Sequence, residues 1–176
     1  DTLLIASWYG GLHKAFFTDT ALAIIPIQNN LVDDLQKNVV TGIAKIRSDL
    51  WWAVTHGSGI FFFDPVKEQY LSHNEYSISN PSGLSDNYIN DAFVDNSGIV
   101  WLGTDDGMNK YDRLSHQFFS ISIPSQKNEK SIYRRPSCIL EDIKEKPGKF
   151  LWIGVPGIGL FHYNRQIHTF DFISLD

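Results

Sequence analysis

The sequence predicts an all-β fold, a partial β-propeller of four-stranded antiparallel blades with three complete blades plus part of a fourth. Three observations carry this expectation. A hairpin-like unit recurs about every 50 residues. Within each unit, short apolar or alternating runs are separated by turns containing Gly, Asn or Asp. Helical periodicity is nearly absent along the chain.

The unit is plainest in "GIVWLGTDDGMNKYD", Gly98 to Asp112. It returns as "LWWAVTHGSGIFFFD" from Leu50, "LWIGVPGIGLFHYN" from Leu151 and "LLIASWYGGLHKAFF" from Leu3. Aligned on the residue that opens each hairpin, Leu4, Trp52, Trp101 and Trp152 correspond. Ala6, Val54, Gly103 and Gly154 follow at the third position, and Gly11, Gly59, Gly107 and Gly159 re-enter the next strand. An apolar residue comes next (Leu12, Ile60, Met108, Leu160), and three units add an aromatic at Phe63, Tyr111 and Tyr163. Upstream, Leu35 and Asn38 match Leu84 and Asn87.

Taken in order, the third unit reads as four strands. Asn87–Asp95 is a short, mostly alternating run. "NSG" turns the chain, because Asn and Gly tolerate positive φ. Ile99–Thr104 is nearly all apolar, as expected of a strand covered on both faces. "DDG" turns again, "MNKYD" alternates, "RLSH" turns, and Gln117–Ile123 is a less buried fourth strand. Such a meander cannot bury both faces alone, so copies at this period must stack as blades or as a solenoid. The blades are expected over about 1–28 (incomplete), 35–79, 84–123 and 131–174, as one propeller segment over 1–176. "NNLVDDLQKN", Asn29 to Asn38, aligns with "NPSGLSDN" and reads as an interblade loop.

Trp52, Trp101 and Trp152 are predicted to fill the layers between blades as structural core. Trp51 and Trp52 are adjacent on one strand and must point to opposite faces, so both faces there need cover. Small residues at the third hairpin position let converging sheets approach. Too few blades are present to close a ring, which leaves "LLIASW" and "LWIGV" on end faces that need cover. Self-association or neighbouring blades are therefore expected as partners, with a two-fold dimer as one form.

Composition narrows the function. The 176 residues suffice for one good core, and 43% hydrophobic content excludes a disordered chain. A net charge of −5, with no basic cluster beyond Arg134-Arg135, argues against a nucleic-acid surface. Cys138 is the single cysteine, so no internal disulfide can form, and it is expected as a buried thiol packing as a small hydrophobe. No apolar run approaches ~18 residues, so no membrane contact is expected within this segment. The chain opens on "DTLLIAS", mid-repeat, and reads as a piece of something longer.

The pattern of Leu84, Asn87, Asp95, Gly98, "WLGT" at 101–104, Gly107 and "NKYD" at 109–112 resembles the two-component regulator propeller repeat. The second unit departs from it where Arg47-Ser48-Asp49 replaces the Asp-x-x-Gly turn, the fourth carries a longer insertion before Trp152, and the first lacks the Trp. WD-type repeats fit less well in period, and kelch repeats lack a recurrent double glycine. The resemblance implies the extracytoplasmic, periplasmic sensor portion of an inner-membrane histidine kinase, often a hybrid kinase responding to glycans. It implies no catalysis in this segment, a membrane span and kinase elsewhere, and an oligosaccharide as ligand. A structural or dimerising scaffold of the same receptor is the alternative reading.

In a meander, the turns from strand two to three and the loops entering strand one fall on the same edge. The turns are Trp8-Tyr9-Gly10, His56-Gly57-Ser58, Asp105-Asp106 and Pro156-Gly157-Ile158; the entries are Asn38, Asn87 and Tyr133-Arg134-Arg135. These residues differ between copies while their frame is constant, as on a binding face, and equally as in unconstrained turns. Trp8 and Tyr9 are the better clue, since a structural turn rarely needs two large aromatics. The candidate ligand-binding residues are Trp8, Tyr9, His56, Asp105, Asp106, Arg134 and Arg135. Aromatics can stack on sugar rings, the arginines can pair with a carboxylate or sulfate, and the aspartates can accept sugar hydroxyls. No cofactor or metal is expected. "THGSG" lacks the nucleophile-elbow form, and "GVPGIG" lacks the Lys and helix of a phosphate loop. Propeller lyases place a metal or a His–Glu pair on the same face, and no such convergent pair is legible here.

Overall fold

The computed structural model describes residues 2–8, 10–27, 39–125, 134–144 and 148–173. Blade one holds β1 (Thr2–Ser7), β2 (Gly11–Phe17) and β3 (Leu22–Pro26). Blade two holds β4 (Val40–Arg47), β5 (Leu50–Thr55), β6 (Ile60–Asp64) and β7 (Gln69–Asn74). Blade three holds β8 (Ile89–Val94), β9 (Val100–Thr104), β10 (Gly107–Asp112) and β11 (Gln117–Ile121). Blade four holds β12 (Cys138–Glu141), β13 (Phe150–Val155), β14 (Gly159–Asn164) and β15 (Thr169–Ile173).

Every sheet is an antiparallel meander in sequence order. The first strands of blades two, three and four, β4, β8 and β12, approach one another along the inner side. The arrangement is an open, partial β-propeller: three four-stranded blades and a three-stranded one. Residues 28–38, which include Leu35, Asn38 and the loop expected over Asn29–Asn38, lie outside the described residues.

Local chemistry sets each meander. Gly59 and Gly107 re-enter the third strand at φ 65° and 90°. A side chain there would also collide with the backbone of the neighbouring outer strand, at 2.2 Å from the Asn74 carbonyl oxygen and 3.0 Å from that of Ile121. At the start of β4 and β8 the ladder slips by one residue, between Val40 and Gly42 and between Ile89 and Asp91. Such bulges turn a side chain out of the pleat. Here they free Thr41, whose hydroxyl donates to the Ile89 carbonyl (2.7 Å), and Asn90, whose amide donates to Asp105 (3.0 Å).

The core lies between blades, in three layers. Leu12 and Ile27 meet Val40, Ala53, Phe61, Phe63 and Tyr70 between blades one and two. Trp52, Val54 and Ile60 meet Leu84, Ile89, Val100 and Leu102 between blades two and three. Trp101 and Met108 meet Ile139, Leu151, Ile153, Phe161 and Tyr163 between blades three and four. Trp51 and Trp52 face different layers, as their adjacency on β5 requires. Each blade thus turns a forward face toward the following blade and a back face toward the preceding one.

Trp52, Trp101 and Trp152 occupy equivalent second strands, β5, β9 and β13, on the forward face. Trp52 meets Phe62 and Tyr111 edge-on at 5.4 and 4.9 Å, and Trp101 meets Tyr163 at 6.1 Å. Both are only 1% exposed. Trp152 departs from the expectation of a buried core residue: it is half-buried and stacks on His162 at 4.1 Å. Among the described residues no blade follows blade four, so its forward face has no cover. Cys138 departs for the same reason. It lies on β12 and is exposed rather than buried.

Candidate functional site

The bulges and the glycine turns bring the strand-two-to-three turns and the strand-one entries to one rim. The turn of blade two reaches the entry of blade three: the Gly57 and Gly59 N–H groups donate to the Asn87 carbonyl at 3.0 and 3.1 Å. His56 forms an isolated bridge with Tyr88, and the two rings meet edge-on at 4.9 Å. The Asp105 N–H donates to the Tyr88 carbonyl at 3.0 Å. One Asp105 carboxylate oxygen accepts from Asn90, and the other pairs with Arg135 Nε at 3.2 Å. His56, Tyr88, Asp105 and Arg135 therefore form an unbroken series of contacts across blades two, three and four.

Asp106 lies beside them, exposed, with its N–H donating to the Thr104 hydroxyl at 3.2 Å. It shares a hollow of about 120 Å³ with Asp105, Gly107, Ser122 and Arg134. Both arginines of the expected cluster thus sit at Asp105 and Asp106. Arg135 is not a lone cation awaiting an acidic group, since Asp105 already balances its charge. Trp8 occupies the corresponding turn of blade one, 69% exposed, next to a Ser7 hydroxyl that donates across the turn to the Gly11 carbonyl. Tyr9 and Tyr133 lie outside the described residues.

Tyr88, Asn90 and Asp91 were not singled out from the sequence. Tyr88 carries the same signal as Trp8, a large exposed aromatic on a loop. Asn90 and Asp91 carry none, because a bulge decides their direction. Asp91 Oδ2 accepts the Ile139 N–H at 2.7 Å and so ties blade three to blade four. Burial pushes its carboxyl above the usual range, against the N–H groups of Ile139 and Ala92 that favour the charged form.

Four histidines away from the rim are held by local structure. His73 Nε2 contacts the Ser58 carbonyl at 2.5 Å, and His162 pairs with Asp142 at 3.2 Å between the rings of Phe150 and Trp152. His116 and His168 meet the hydroxyls of Tyr111 and Tyr163 at 2.9 and 2.8 Å. None of these contacts joins a histidine to a serine, threonine or cysteine side chain. Among the described residues no group of three or more His, Cys, Asp or Glu could hold a metal ion. No helix among them is long and apolar enough to cross a membrane.

No family model matches the chain, and no curated protein matches it. Solved structures do. One is described as the extracellular domain of a hybrid two-component system, BT4673 of B. thetaiotaomicron. It matches at TM-score 0.71 and 24% identity, over 99% of this chain and 23% of that one. A second, described likewise for BT3049 of the same organism, matches at TM-score 0.69 and 13% identity, over 99% and 24%. The β-propeller domain of Cps50 (Swd1) from a Myceliophthora species matches at TM-score 0.57 and 12% identity, over 97% and 55%. The chain resembles these in fold. It spans about a quarter of the two extracellular domains.

Proposed function

We propose that residues 1–176 form a propeller segment of an extracytoplasmic sensor in a two-component system, without catalysis of its own, that binds an oligosaccharide on the rim. In this reading the segment belongs to the periplasmic part of an inner-membrane receptor, and ligand binding shifts that receptor between signalling states. One observation carries the reading: the rim places donors, acceptors and aromatics from three blades in one continuous series. Sugar hydroxyls are both donors and acceptors, and a compensated Asp105–Arg135 pair offers both. Trp8, 69% exposed on a turn, offers a flat apolar surface to a ring. The fold likeness to extracellular domains of two-component systems supports the setting.

Because Asp105 neutralises Arg135, the rim favours neutral or mildly acidic oligosaccharides over strongly sulfated ones. Calorimetric titration with neutral, uronic-acid and sulfated oligosaccharides tests this. Heat with the first two supports the reading, and no heat with any sugar leaves the scaffold reading ahead. The uncovered end faces favour that second reading, in which the segment serves assembly: Leu3, Phe17, Leu22 and Ile24 are exposed on blade one, and Leu140 on blade four.

A further inference from the structure

Each blade junction has two recurring positions on its outer flank. One lies on the third strand, three residues beyond the turn glycine: Lys14 on β2, Phe62 on β6 and Lys110 on β10. The other comes from the following blade and ends the turn into its fourth strand: Glu68, His116 and His168, with left-handed backbone at φ 55°, 56° and 56°. Glycine takes that conformation without strain, so a side chain kept there points to a use.

The three junctions are filled differently. Between blades one and two, Lys14 Nζ is paired with the Glu68 carboxylate. Between blades two and three, Phe62 puts a ring at the lysine position, 5.4 Å from Trp52 and packed with Tyr111 and Phe118. Between blades three and four the lysine returns as Lys110, but His168 stands where Glu68 stands. A hollow of about 560 Å³ opens there, a volume suited to a small molecule. Lys110, Asp112 and Phe119 line it from blade three, and Tyr163, His168 and Phe170 from blade four.

The polar groups of the hollow leave a place for an anion. Lys110 forms no ion pair among the described residues. Asp112 is engaged by its own turn: one carboxylate oxygen accepts the Leu114 N–H at 2.8 Å and the other the Ser115 hydroxyl at 3.0 Å. His168 Nδ1 meets the Tyr163 hydroxyl at 2.8 Å, and Nε2 has no partner among the described residues. With that hydroxyl donating, Nε2 carries the ring hydrogen and is a donor.

We propose that this hollow is a binding site, separate from the rim, for a small aromatic carboxylic acid: its carboxylate pairs with Lys110 Nζ and His168 Nε2, and its ring lies against Phe119 and Phe170. The bound carboxylate takes the part that Glu68 plays for Lys14, and the ring takes the part that Phe62 plays beside Trp52. The site does not depend on what the rim binds.

The probe is 4-fluorophenylacetate, followed by the broadening of its ¹⁹F resonance on titration with the 176-residue chain. Binding is expected with a dissociation constant on the order of 1 mM or below. The amide, 4-fluorophenylacetamide, keeps the ring without the charge and is expected to bind about tenfold or more weakly, as is the acid to Lys110→Gln. Lys110→Phe copies the junction of blades two and three, and His168→Glu copies that of blades one and two. Both are expected to abolish binding without lowering the melting temperature. His168→Gly relieves the backbone, so the weaker binding expected of it cannot come from misfolding. Equal affinity for acid and amide, unchanged affinity in Lys110→Gln or His168→Glu, or no binding at about 10 mM would each overturn the proposal.

Discussion

Blades two and three build the same hairpin around the same tryptophan and finish it differently. In blade three, Trp101 Nε1 donates to Asp95 Oδ2 at 2.7 Å. The other Asp95 oxygen accepts from the Ser97 N–H and hydroxyl and the Ile99 N–H. Arg165, from the β14–β15 turn, closes on Asp95 at 2.8 Å and lies over the Trp101 ring at 5.2 Å. In blade two, Arg47-Ser48-Asp49 stands in place of that turn, and Trp52 Nε1 is buried with no acceptor. Arg113, the counterpart of Arg165 on blade three, is exposed against Gly98 of its own blade. Packing alone therefore suffices to hold the tryptophan in its slot. The carboxylate adds a polar clasp that locks one blade to the next, and among the described residues only the junction of blades three and four has it.

The largest expected effects lie at that clasp. Asp95→Ala would strand Arg165, whose side chain is 9% exposed, and orphan the Trp101 N–H. It is expected to cost about 3–5 kcal/mol, as when one partner of a buried pair is removed. Trp101→Ala is expected in the same range of about 3–5 kcal/mol from the cavity it leaves. Urea unfolding measures both. The sharper comparison is Trp101→Phe against Trp52→Phe. Each loses similar volume, but only the first breaks a hydrogen bond to a charged group, so it should cost about 1–3 kcal/mol more. Equal costs would remove the polar clasp from the account.

Gly103 and Gly154, at the third position of their hairpins, give a comparable pair. Gly103→Ala drives a methyl into Pro136 backbone and is expected to destabilise by about 1–3 kcal/mol. Gly154→Ala meets only the rotatable Cys138 side chain and should stay within about 0.5 kcal/mol. Thermal melts of the two variants check the contrast.

Acid separates the buried Asp95 and the half-buried Asp91 by sign. For Asp95, burial raises the carboxyl, but the hydrogen bonds from Ser97, Trp101 and Ile99 and the Arg165 charge outweigh it and hold it below the usual range. Its contribution is present above the unfolded value, about 3.9, and is lost as pH falls through the folded one. Asp91 is raised, so the folded state takes up that proton first and gains relative stability as pH falls through its folded value. The stability gap between the parent chain and Asp95→Asn should narrow in acid, measured by urea midpoints from pH 7 downward. The gap for Asp91→Asn should not narrow in that way.

Much of the fold was legible because it rests on residues that act locally. The period, the turn glycines and the apolar second strands specify the four meanders before any contact is known. Trp152 and Cys138 differ from the burial expected of them for one reason: a repeat shows which face a residue takes, not whether a blade covers that face. The rim was legible as an edge, since connectivity alone puts alternate turns on one side. Its chemistry was less so. The pairing of Arg135 with Asp105 depends on two turns from different blades meeting, and the direction of Asn90 depends on a one-residue slip in the ladder. Neither leaves a mark in the spacing of residues.

On the rim itself, Trp8→Ala is expected to weaken oligosaccharide binding by about 1–3 kcal/mol, as for an anchoring aromatic. Being exposed, it should leave the melting temperature nearly unchanged. The most direct measurement labels the tryptophans with 5-fluorotryptophan and follows their ¹⁹F resonances during an oligosaccharide titration. The Trp8 resonance is expected to move while those of Trp52 and Trp101, sealed between blades, stay in place. Movement of Trp152 with Trp8 fixed would place the ligand on the end face and contradict the rim as the binding site.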